Sequence, residues 1–280
     1  MKKILITGSG SYIGSSFVEY LKQYGDAYSA DVLDMLDAGW REYDFGGYDA
    51  VYHVAGIAHR KETSENAHLY YEVNRDLALE VARKAKSAGV PQFIFLSSMS
   101  VYGIERGVIT PDTTPSPKSN YGRSKLEAEE GMTELASEDF KICVLRPPMV
   151  YGKGCKGNFC SVISLVKKLP FFPKVSNRRS MIYIDNLSSF VKLAIDRELS
   201  GLYFPQNREY MNTSEMAMGI AEGLGKKCRL SRILGFGVKL LVPFVSLAKK
   251  GFGTLVYENT EALDFEYIVI SAEDSVKISV

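Results

Sequence analysis

The chain has 280 residues, enough for one large domain or two modest lobes. Apolar residues make up 46% and charged residues 24%, as in soluble globular proteins, so the composition excludes disordered and fibrous proteins. The 34 basic and 33 acidic side chains leave a net charge of +1, which disfavours a general nucleic-acid binder.

The cysteines and histidines carry no metal or redox motif. Neither C-x-x-C spacing nor an H-E-x-x-H helix occurs among Cys143, Cys155, Cys160, Cys228, His53, His59 and His68. We therefore expect no metal and reduced thiols in a cytoplasmic protein. Residues 4–6 form too short an apolar run for a signal peptide.

Strands alternate with helices through the first half of the chain. Four apolar runs predict buried strands: Lys3–Thr7, Ala50–Ala55, Phe93–Leu96 and Ile142–Arg146. Three intervals have helical character: 12–24, 64–88 and 121–135. Because strands that alternate with helices form a parallel sheet covered on both faces, we predict an α/β fold with a doubly wound parallel sheet.

Beyond residue 152 the segments become shorter and richer in glycine and proline. We predict that residues 1–152 form the doubly wound domain, to which a strand and a helix at 181–197 return. Residues 153–180 and 198–280 are then a smaller, irregular C-terminal lobe.

An apolar stretch at 233–248 is interrupted by Lys239 and Pro243 and is too short to span a bilayer. We favour a helix packed within the C-terminal lobe. Because basic residues flank the stretch over 226–250, a helix that rests on an anionic membrane surface is the alternative.

A turn of small residues follows the first strand, with the sequence Thr7-Gly8-Ser9-Gly10-Ser11-Tyr12-Ile13-Gly14. At the carboxyl end of a strand, such a turn directs the amides and the positive end of the next helix towards a pyrophosphate. Small residues let the backbone approach the anion closely. The turn therefore predicts a Rossmann-type dinucleotide site, with a plain strand–helix connection as the alternative.

Two further motifs supply groups for proton transfer. Tyr121 and Lys125 lie four residues apart and share a face of a predicted helix. An ammonium near a phenol lowers the pKa of the tyrosine, which makes Tyr121 a usable general base. Ser98 follows the strand at 93–96, where its hydroxyl can hydrogen-bond a substrate oxygen. Each motif lies beyond a strand's carboxyl end, the edge at which open α/β sheets bind ligands.

Taken together, these motifs resemble the extended short-chain dehydrogenase/reductases over most of residues 1–200. The likeness is to the NAD-dependent sugar-nucleotide epimerase/dehydratase family typified by UDP-galactose 4-epimerase. It implies Ser98, Tyr121 and Lys125 as catalytic residues. For NAD, it implies contacts at Gly8, Gly10, Ser11, Tyr12, Ile13, Gly14, Asp34, Val54, Ala55, Gly56, Asn74, Tyr121, Lys125 and Pro147. For a nucleotide-sugar substrate, it implies Ser98, Ser100, Tyr121, Asn158 and Arg179.

Two features depart from the family pattern. Ser11 stands where the family's glycine motif has its middle glycine, and we expect an adjusted turn that still binds NAD. The stretch between Gly14 and Asp49 is short, as if part of the second βα unit were trimmed. Asp34 is our choice for the carboxylate that meets the adenosine ribose, with Asp31 as the alternative. Either favours NAD over NADP, because a carboxylate repels a 2′-phosphate.

The resemblance implies hydride transfer between a sugar carbon and nicotinamide. Tyr121 takes the hydroxyl proton, Lys125 holds Tyr121 ionised and binds the nicotinamide ribose, and Ser98 binds the same sugar oxygen. Met99 and Ser100 stand where the family's dehydratases carry an Asp-Glu pair, which disfavours dehydration.

We therefore predict C4 epimerisation of a UDP-hexose or UDP-N-acetylhexosamine in surface-polysaccharide biosynthesis. The alternatives are an NAD(P)H-dependent 4-keto-sugar-nucleotide reductase and a non-catalytic dinucleotide-sensing protein.

The near-neutral total charge hides two basic intervals. Residues 153–179 and 223–257 each hold seven basic and no acidic residues. The first interval suits a diphosphate, although a solvated basic surface shows the same pattern. The family resemblance also suggests a homodimer formed through the helix that bears Tyr121 and its neighbour.

Overall fold

A parallel sheet of six strands organises the first half of the chain in the computed structural model, which describes residues 1–58, 60, 62–242, 244–245, 251–258 and 263–280. In spatial order the strands are β2 (Tyr28–Leu33), β1 (Lys2–Thr7), β3 (Ala50–His53), β4 (Gln92–Leu96), β6 (Lys141–Leu145) and β10 (Gly201–Tyr203). The chain winds one way from β1 to β2 and the other way from β3 onward. The predicted doubly wound, Rossmann-type α/β fold is confirmed, and the direction reverses beside β1, where such sheets bind ligands.

Helices follow the strands of this sheet: α1 (Tyr12–Leu21), α2 (Ala67–Tyr71), α3 (Ala78–Ser87) and α4 (Asn120–Leu135). A π-helical segment, Glu72–Leu77, joins α2 to α3, so the predicted helix at 64–88 consists of three segments. Phe93 and Phe95 of β4 lie in one buried cluster with small residues of α3 and α4: Ala78, Ala82, Ala85 and Ala128. Small helical residues let the helices approach the sheet closely, which places α4 directly against it.

The chain divides into two compact units. The first comprises residues 1–103, 115–147 and 188–205, and the second comprises 104–114, 148–187 and 206–280. Three two-stranded parallel sheets lie in the second unit: β5 (Gly107–Ile109) with β12 (Leu255–Tyr257), β7 (Met149–Tyr151) with β9 (Met181–Tyr183), and β8 (Phe171–Pro173) with β11 (Arg229–Ser231). Further helices among the described residues are α5 (Asn158–Lys168), α6 (Ile184–Asp196), α7 (Thr213–Gly223), α8 (Arg232–Leu241) and α9 (Ala272–Ile278), and α6 runs from the second unit into the first at residue 188.

The unit boundaries differ from the predicted ones for reasons of strand pairing. Residues 104–114 and 148–152 belong to the second unit, where β5 pairs with β12 and β7 pairs with β9. The sequence suggested that 181–197 return to the first domain; residues 188–197 do belong to the first unit, whereas β9 and the start of α6, residues 181–187, belong to the second. In contrast, residues 198–205 belong to the first unit, because β10 extends the six-stranded sheet beside β6.

The interval between β2 and β3 holds one 3-10 turn, Ala38–Arg41, where a full βα unit would place a longer helix. Asp37 caps this turn by accepting a hydrogen bond from the Gly39 N–H at 2.9 Å. Trp40 is buried in the cluster that also contains Val51 of β3. A single large indole thus helps to cover the sheet over this shortened interval.

His53, the last residue of β3, is a fully buried histidine that is held neutral. Its Nδ1 lies 2.7 Å from Thr7 Oγ1, and its ring stacks against Phe93 and Phe95. Burial lowers the pKa of His53 to about 3, and the nearby Lys125 lowers it further in the same direction.

Because His53 is buried in its neutral form, we expect the free energy of unfolding to fall as the pH is lowered. Below the ordinary histidine pKa of 6.5 the unfolded chain binds a proton that the folded chain refuses until about pH 3. Stability contributed by the neutral ring is therefore lost as the pH falls through this window. Between pH 6.5 and about pH 5, we expect His53 to lower the free energy of unfolding by about 2 kcal/mol. Urea unfolding at both pH values should show a smaller decrease for His53→Phe than for the wild type, and equal decreases would contradict this prediction.

Candidate active site

The carboxyl ends of β1, β2 and β3 meet at Gly8. The Gly8 N–H donates to the Leu33 carbonyl at 3.0 Å, and the Val54 N–H donates to the Thr7 carbonyl at 3.1 Å. Gly8 has a φ of +117°, and a Cβ there would lie 2.8 Å from the Ala55 nitrogen. A Cβ at Gly14 would lie 3.0 Å from Val54 Cγ2. Both glycines are therefore required where the turn packs against the segment after β3.

Ser11 caps α1, and its backbone conformation explains why a serine can stand where the family pattern has a glycine. Its φ of −70° and ψ of 138° are extended, so this position does not need glycine. Its Oγ accepts a hydrogen bond from the Gly14 N–H at 3.1 Å. Tyr12 and Ile13 then open the helix, while Gly10 supplies the left-handed residue of the turn, with a φ of +70°. The glycine cradle and the amide-bearing start of α1 fit the pyrophosphate of a dinucleotide.

The two candidate ribose carboxylates are in different situations. Asp34 is exposed directly after Leu33, whose carbonyl receives the Gly8 N–H. One of its oxygens accepts from the Leu36 N–H at 3.0 Å. Asp31 lies earlier in β2, and its carboxylate accepts from the Tyr48 hydroxyl at 2.7 Å. Asp34 is thus the carboxylate placed at the strand end, beside the glycine turn.

Asn74 hydrogen-bonds the backbone of the segment after β3, which contains the predicted cofactor residues Val54, Ala55 and Gly56. It is fully buried in the π-helical segment, and its Oδ1 accepts from the Ile57 N–H at 2.7 Å. Its Nδ2 donates to the Ile57 carbonyl at 3.1 Å and to Ser124 Oγ at 3.2 Å. Both amide hydrogens are used, so Asn74 ties the segment around Gly56 to α4. The contact with the cofactor that the resemblance implies for Asn74 stays a prediction.

Ser98 and Tyr121 are brought together by the turn that follows β4. Ser98 caps a 3-10 helix, Met99–Tyr102, and its Oγ accepts from the Ser100 N–H at 3.1 Å. The Met99 N–H donates to the Pro147 carbonyl at 3.0 Å, which ties this turn to the end of β6. The Ser98 hydroxyl donates to Ser100 Oγ at 3.1 Å, and it lies near enough to the Tyr121 phenol to lower the pKa of that phenol. The serine and tyrosine can therefore address one substrate oxygen.

The expected low pKa of Tyr121 is wrong for this structure. Burial raises the pKa of Tyr121, the nearby Ser98 side chain opposes that rise, and the nearby Tyr70 adds to it. Burial disfavours the phenolate, and the Lys125 ammonium makes its hydrogen bond to the Leu96 carbonyl. Tyr121 is thus a protonated phenol here.

Lys125 is a buried cation one helical turn beyond Tyr121. Its Nζ donates to the Leu96 carbonyl at 2.8 Å and lies 4.6 Å from the centre of the Phe95 ring. Burial lowers the pKa of Lys125 to about 8, and Glu129 opposes that change. A Cβ on Gly56 would lie 3.4 Å from this Nζ, so the ammonium lies beside the glycine that follows β3.

The sequence reasoning missed Glu62, which holds the start of the catalytic helix. Its carboxylate accepts from the N–H groups of Asn120 and Tyr121 at 3.0 and 3.1 Å. Ser119 Oγ accepts from the Gly122 N–H at 3.1 Å. A negative charge at a helix N-terminus is stabilised by the helix dipole. No spacing signal could reveal this contact, because Glu62 lies far from Tyr121 in the chain.

Gly122 lets α4 approach the Ser98 turn, and we expect Gly122→Ala to lower kcat about a hundredfold. An added Cβ would lie 2.5 Å from the Ser100 carbonyl oxygen, so the helix must move and separate Tyr121 from Ser98. Steady-state kinetics of the purified variant checks this. Gly131→Ala on the same helix is the matched control, because its Cβ meets only the end of the Leu79 side chain. Equal activity of both variants would contradict the proposed close approach.

The two predicted substrate residues of the second unit differ in their environment. Asn158 is exposed as the first residue of α5. Arg179 donates from Nη1 to the Gly253 carbonyl at 3.0 Å, and its Nε is buried without a hydrogen-bond partner among the described residues. Burial lowers the pKa of this guanidinium. A buried cation with an unused donor is suited to an anionic ligand.

Within the part of the chain that the structure describes, no group of three or more His, Cys, Asp or Glu side chains is arranged to hold a metal ion. His59 lies outside the described residues, as do Lys249 and Lys250 of the basic flank. Cys143, Cys155, Cys160 and Cys228 are free thiols.

Comparison with known proteins identifies the family. The model of the NAD dependent epimerase/dehydratase family matches residues 4–203. A UDP-glucose 4-epimerase of Vibrio cholerae is 32% identical over 80% of this chain and 76% of its own length. The chain therefore belongs to the NAD dependent epimerase/dehydratase family, and it is an enzyme of isomerase or oxidoreductase type with NAD as cofactor.

Another relative is more distant. An N-acetyl-alpha-D-glucosaminyl-diphospho-ditrans,octacis-undecaprenol 4-epimerase of Escherichia coli O157:H7 is 27% identical over 76% of this chain. The chain spans 63% of that relative's length, less than two thirds. The crystal structure of a UDP-glucuronic acid 4-epimerase from Bacillus cereus in complex with NAD has a TM-score of 0.75 at 18% identity. It covers 99% of this chain and 97% of its own, which shows the shared fold.

Proposed function

We propose that the protein epimerises a UDP-hexose or UDP-N-acetylhexosamine at C4. The observation that carries the proposal is that Ser98 lies beside the Tyr121 phenol, with the buried Lys125 one turn further along α4. Two relatives with 4-epimerase names support the same reaction. The product would be a precursor for surface-polysaccharide biosynthesis.

The chain's own residues manage the proton at the C4 oxygen. Tyr121 first releases its own proton to solvent; as a phenolate it then accepts the C4 hydroxyl proton when the sugar is oxidised and returns that proton when the ketone is reduced. Ser98 donates a hydrogen bond to the same oxygen. Burial disfavours the phenolate, and we assign its stabilisation to the ammonium of Lys125, one turn further along α4. Bound NAD supplies the acceptor and then the donor of the C4 hydride.

Arg179 and the basic interval 153–179 support a diphosphate-bearing substrate. The buried Nε of Arg179 has a hydrogen to donate, and an oxyanion would satisfy it. Asn158, at the exposed start of α5, supplies an amide that can bind the same group.

Asp34 is proposed as the ribose-binding carboxylate, and Asp34→Asn should weaken NAD binding about tenfold or more. The substitution removes the charged acceptor of a ribose hydroxyl, which weakens NAD binding. It also removes the charge that repels the 2′-phosphate of NADP, and we therefore expect a smaller preference for NAD over NADP. Isothermal titration with each dinucleotide measures both effects. Asp31→Asn is the matched control, since its carboxylate binds Tyr48. Weakening by Asp31→Asn alone would assign the ribose to the alternative residue.

The proposed reaction is tested by incubating the protein and NAD with UDP-glucose, UDP-galactose and their N-acetylated counterparts. Proton NMR of the nucleotide sugars should show conversion of at least one to its C4 epimer. A reductase would instead consume NADH or NADPH with a 4-keto-sugar nucleotide and form no epimer from these four. A dinucleotide sensor would bind NAD and convert none. Either of these outcomes would contradict the proposal.

A further inference from the structure

The helix α8 exposes an apolar face in place of burying it. Ile233, Phe236 and Leu240 are 85%, 66% and 57% exposed and recur three and four residues apart, so they share one face of the helix. Of the ten residues of α8, all of which the structure describes, only Gly235 is buried. A helix packed within the lobe, as the sequence suggested, would bury this face.

Gly235 fixes which side of α8 meets the protein. A Cβ on Gly235 would lie 2.1 Å from the Lys174 carbonyl oxygen, so the helix backbone rests directly on the chain after β8. Val238, three residues further on, is half-buried. These two residues lie on the side of the helix opposite Ile233 and Leu240. The apolar face therefore points away from the protein.

Neighbouring residues of the second unit extend this face. Phe171 of β8 is exposed and pairs in register with Arg229 of β11, directly before α8. Leu169, just before β8, is also exposed. Beyond α8, Phe244 is 85% exposed. We call this set, with Ile233, Phe236 and Leu240, the α8 surface.

The charges around the α8 surface are of one sign. Exposed basic side chains occur on the elements that carry this surface or within two residues of them: Lys167, Lys168, Lys174, Lys227, Arg229, Arg232 and Lys239. No acidic residue occurs in 153–179 or 223–257, the intervals that build the surface. The carboxylate just before the second interval, Glu222, lies 3.1 Å from Lys277 and is thereby paired.

We propose that the α8 surface docks on the interfacial region of an anionic lipid bilayer. Apolar side chains ringed by lysine and arginine bind such surfaces by burying the apolar groups and attracting anionic headgroups. A second copy of the chain would bring two basic surfaces together, which disfavours a symmetric dimer through this face. Among the described residues no helix is long and apolar enough to cross a membrane. The proposal does not depend on which sugar is epimerised.

Flotation with lipid vesicles tests this docking. The full chain should float with vesicles of equal parts phosphatidylcholine and phosphatidylglycerol, but not with phosphatidylcholine alone, and high salt should release it. We expect Ile233→Glu/Phe236→Glu to weaken binding tenfold or more. Lys239→Ala should weaken it about fivefold.

Controls separate docking from misfolding and from self-association. Ile278→Glu replaces another exposed apolar residue of the second unit and should float like the wild type. NAD binding should be the same for all variants, because they lie far from the glycine turn in the chain and their side chains are exposed. Failure of the wild type to bind anionic vesicles would overturn the proposal. Equal flotation of Ile233→Glu/Phe236→Glu and wild type, or dimers that dissociate in that variant without any vesicle binding, would also overturn it.

Discussion

Replacing Tyr121 by phenylalanine should lower kcat by about two to four orders of magnitude, the usual contribution of a positioned general acid or base. The variant loses only the hydroxyl that lies beside Ser98, and the ring that helps to fill the site remains. NAD binding should change little, because the glycine turn and the Asn74 contacts are untouched. Epimer formation followed by NMR over long incubations measures the residual rate.

Tyr24→Phe is the matched control for this substitution. The Tyr24 hydroxyl lies 3.1 Å from the Tyr20 hydroxyl. Tyr20 is in α1 and Tyr24 is in the turn that follows it, and neither takes part in the proposed proton transfer. We expect wild-type kcat for this variant. A Tyr121→Phe enzyme within threefold or so of wild type would assign the proton transfer to another group.

The second large effect concerns a buried ion pair that anchors the catalytic helix. Glu129 of α4 accepts hydrogen bonds from Arg146, with a closest distance of 2.5 Å, and from Ser97. Arg146, just after β6, also donates to the Tyr102 hydroxyl at 2.8 Å. The pair therefore joins α4 to the ends of β4 and β6. Glu129→Gln leaves the buried guanidinium uncompensated, and we expect a loss of about 3–5 kcal/mol in the free energy of unfolding.

Urea denaturation measures this loss, and an exposed pair supplies the comparison. Glu80 pairs with Arg41 at 2.6 Å, and both side chains are about half exposed. Glu80→Gln should lower the free energy of unfolding by about 1 kcal/mol or less, because exposed pairs are solvated and screened. Losses of similar size in the two variants would contradict an anchoring role for Glu129.

The parts of the fold that the sequence predicts are those with strong local patterns. The continuous apolar runs of β1, β3, β4 and β6 are buried as expected. β2 was missed because Tyr28–Leu33 is an edge strand with partly exposed residues, which breaks the apolar run. β10 was missed because three residues carry too little pattern.

At the site, the residue types were predictable, but their contacts were not. Spacing placed Tyr121 and Lys125 on one helix, yet it could not show that Lys125 bonds the Leu96 carbonyl. Burial of the phenol explains why the pKa of Tyr121 is raised, and the nearby Tyr70 adds to that rise. Likewise, Glu62 and Gly122 act through partners that only the fold brings near. Apolar periodicity in α8 predicted a packed helix, because composition does not reveal which face meets the protein.

Retention of deuterium at C4 is the most direct test of transient hydride transfer. The protein and NAD are incubated in ordinary water with UDP-glucose that carries deuterium at C4. We predict UDP-galactose that keeps the deuterium at C4, because the hydride leaves and returns within one site that solvent protons do not enter. Epimer that has lost the deuterium to solvent would contradict the account, since it would require removal of the C4 hydrogen as a proton.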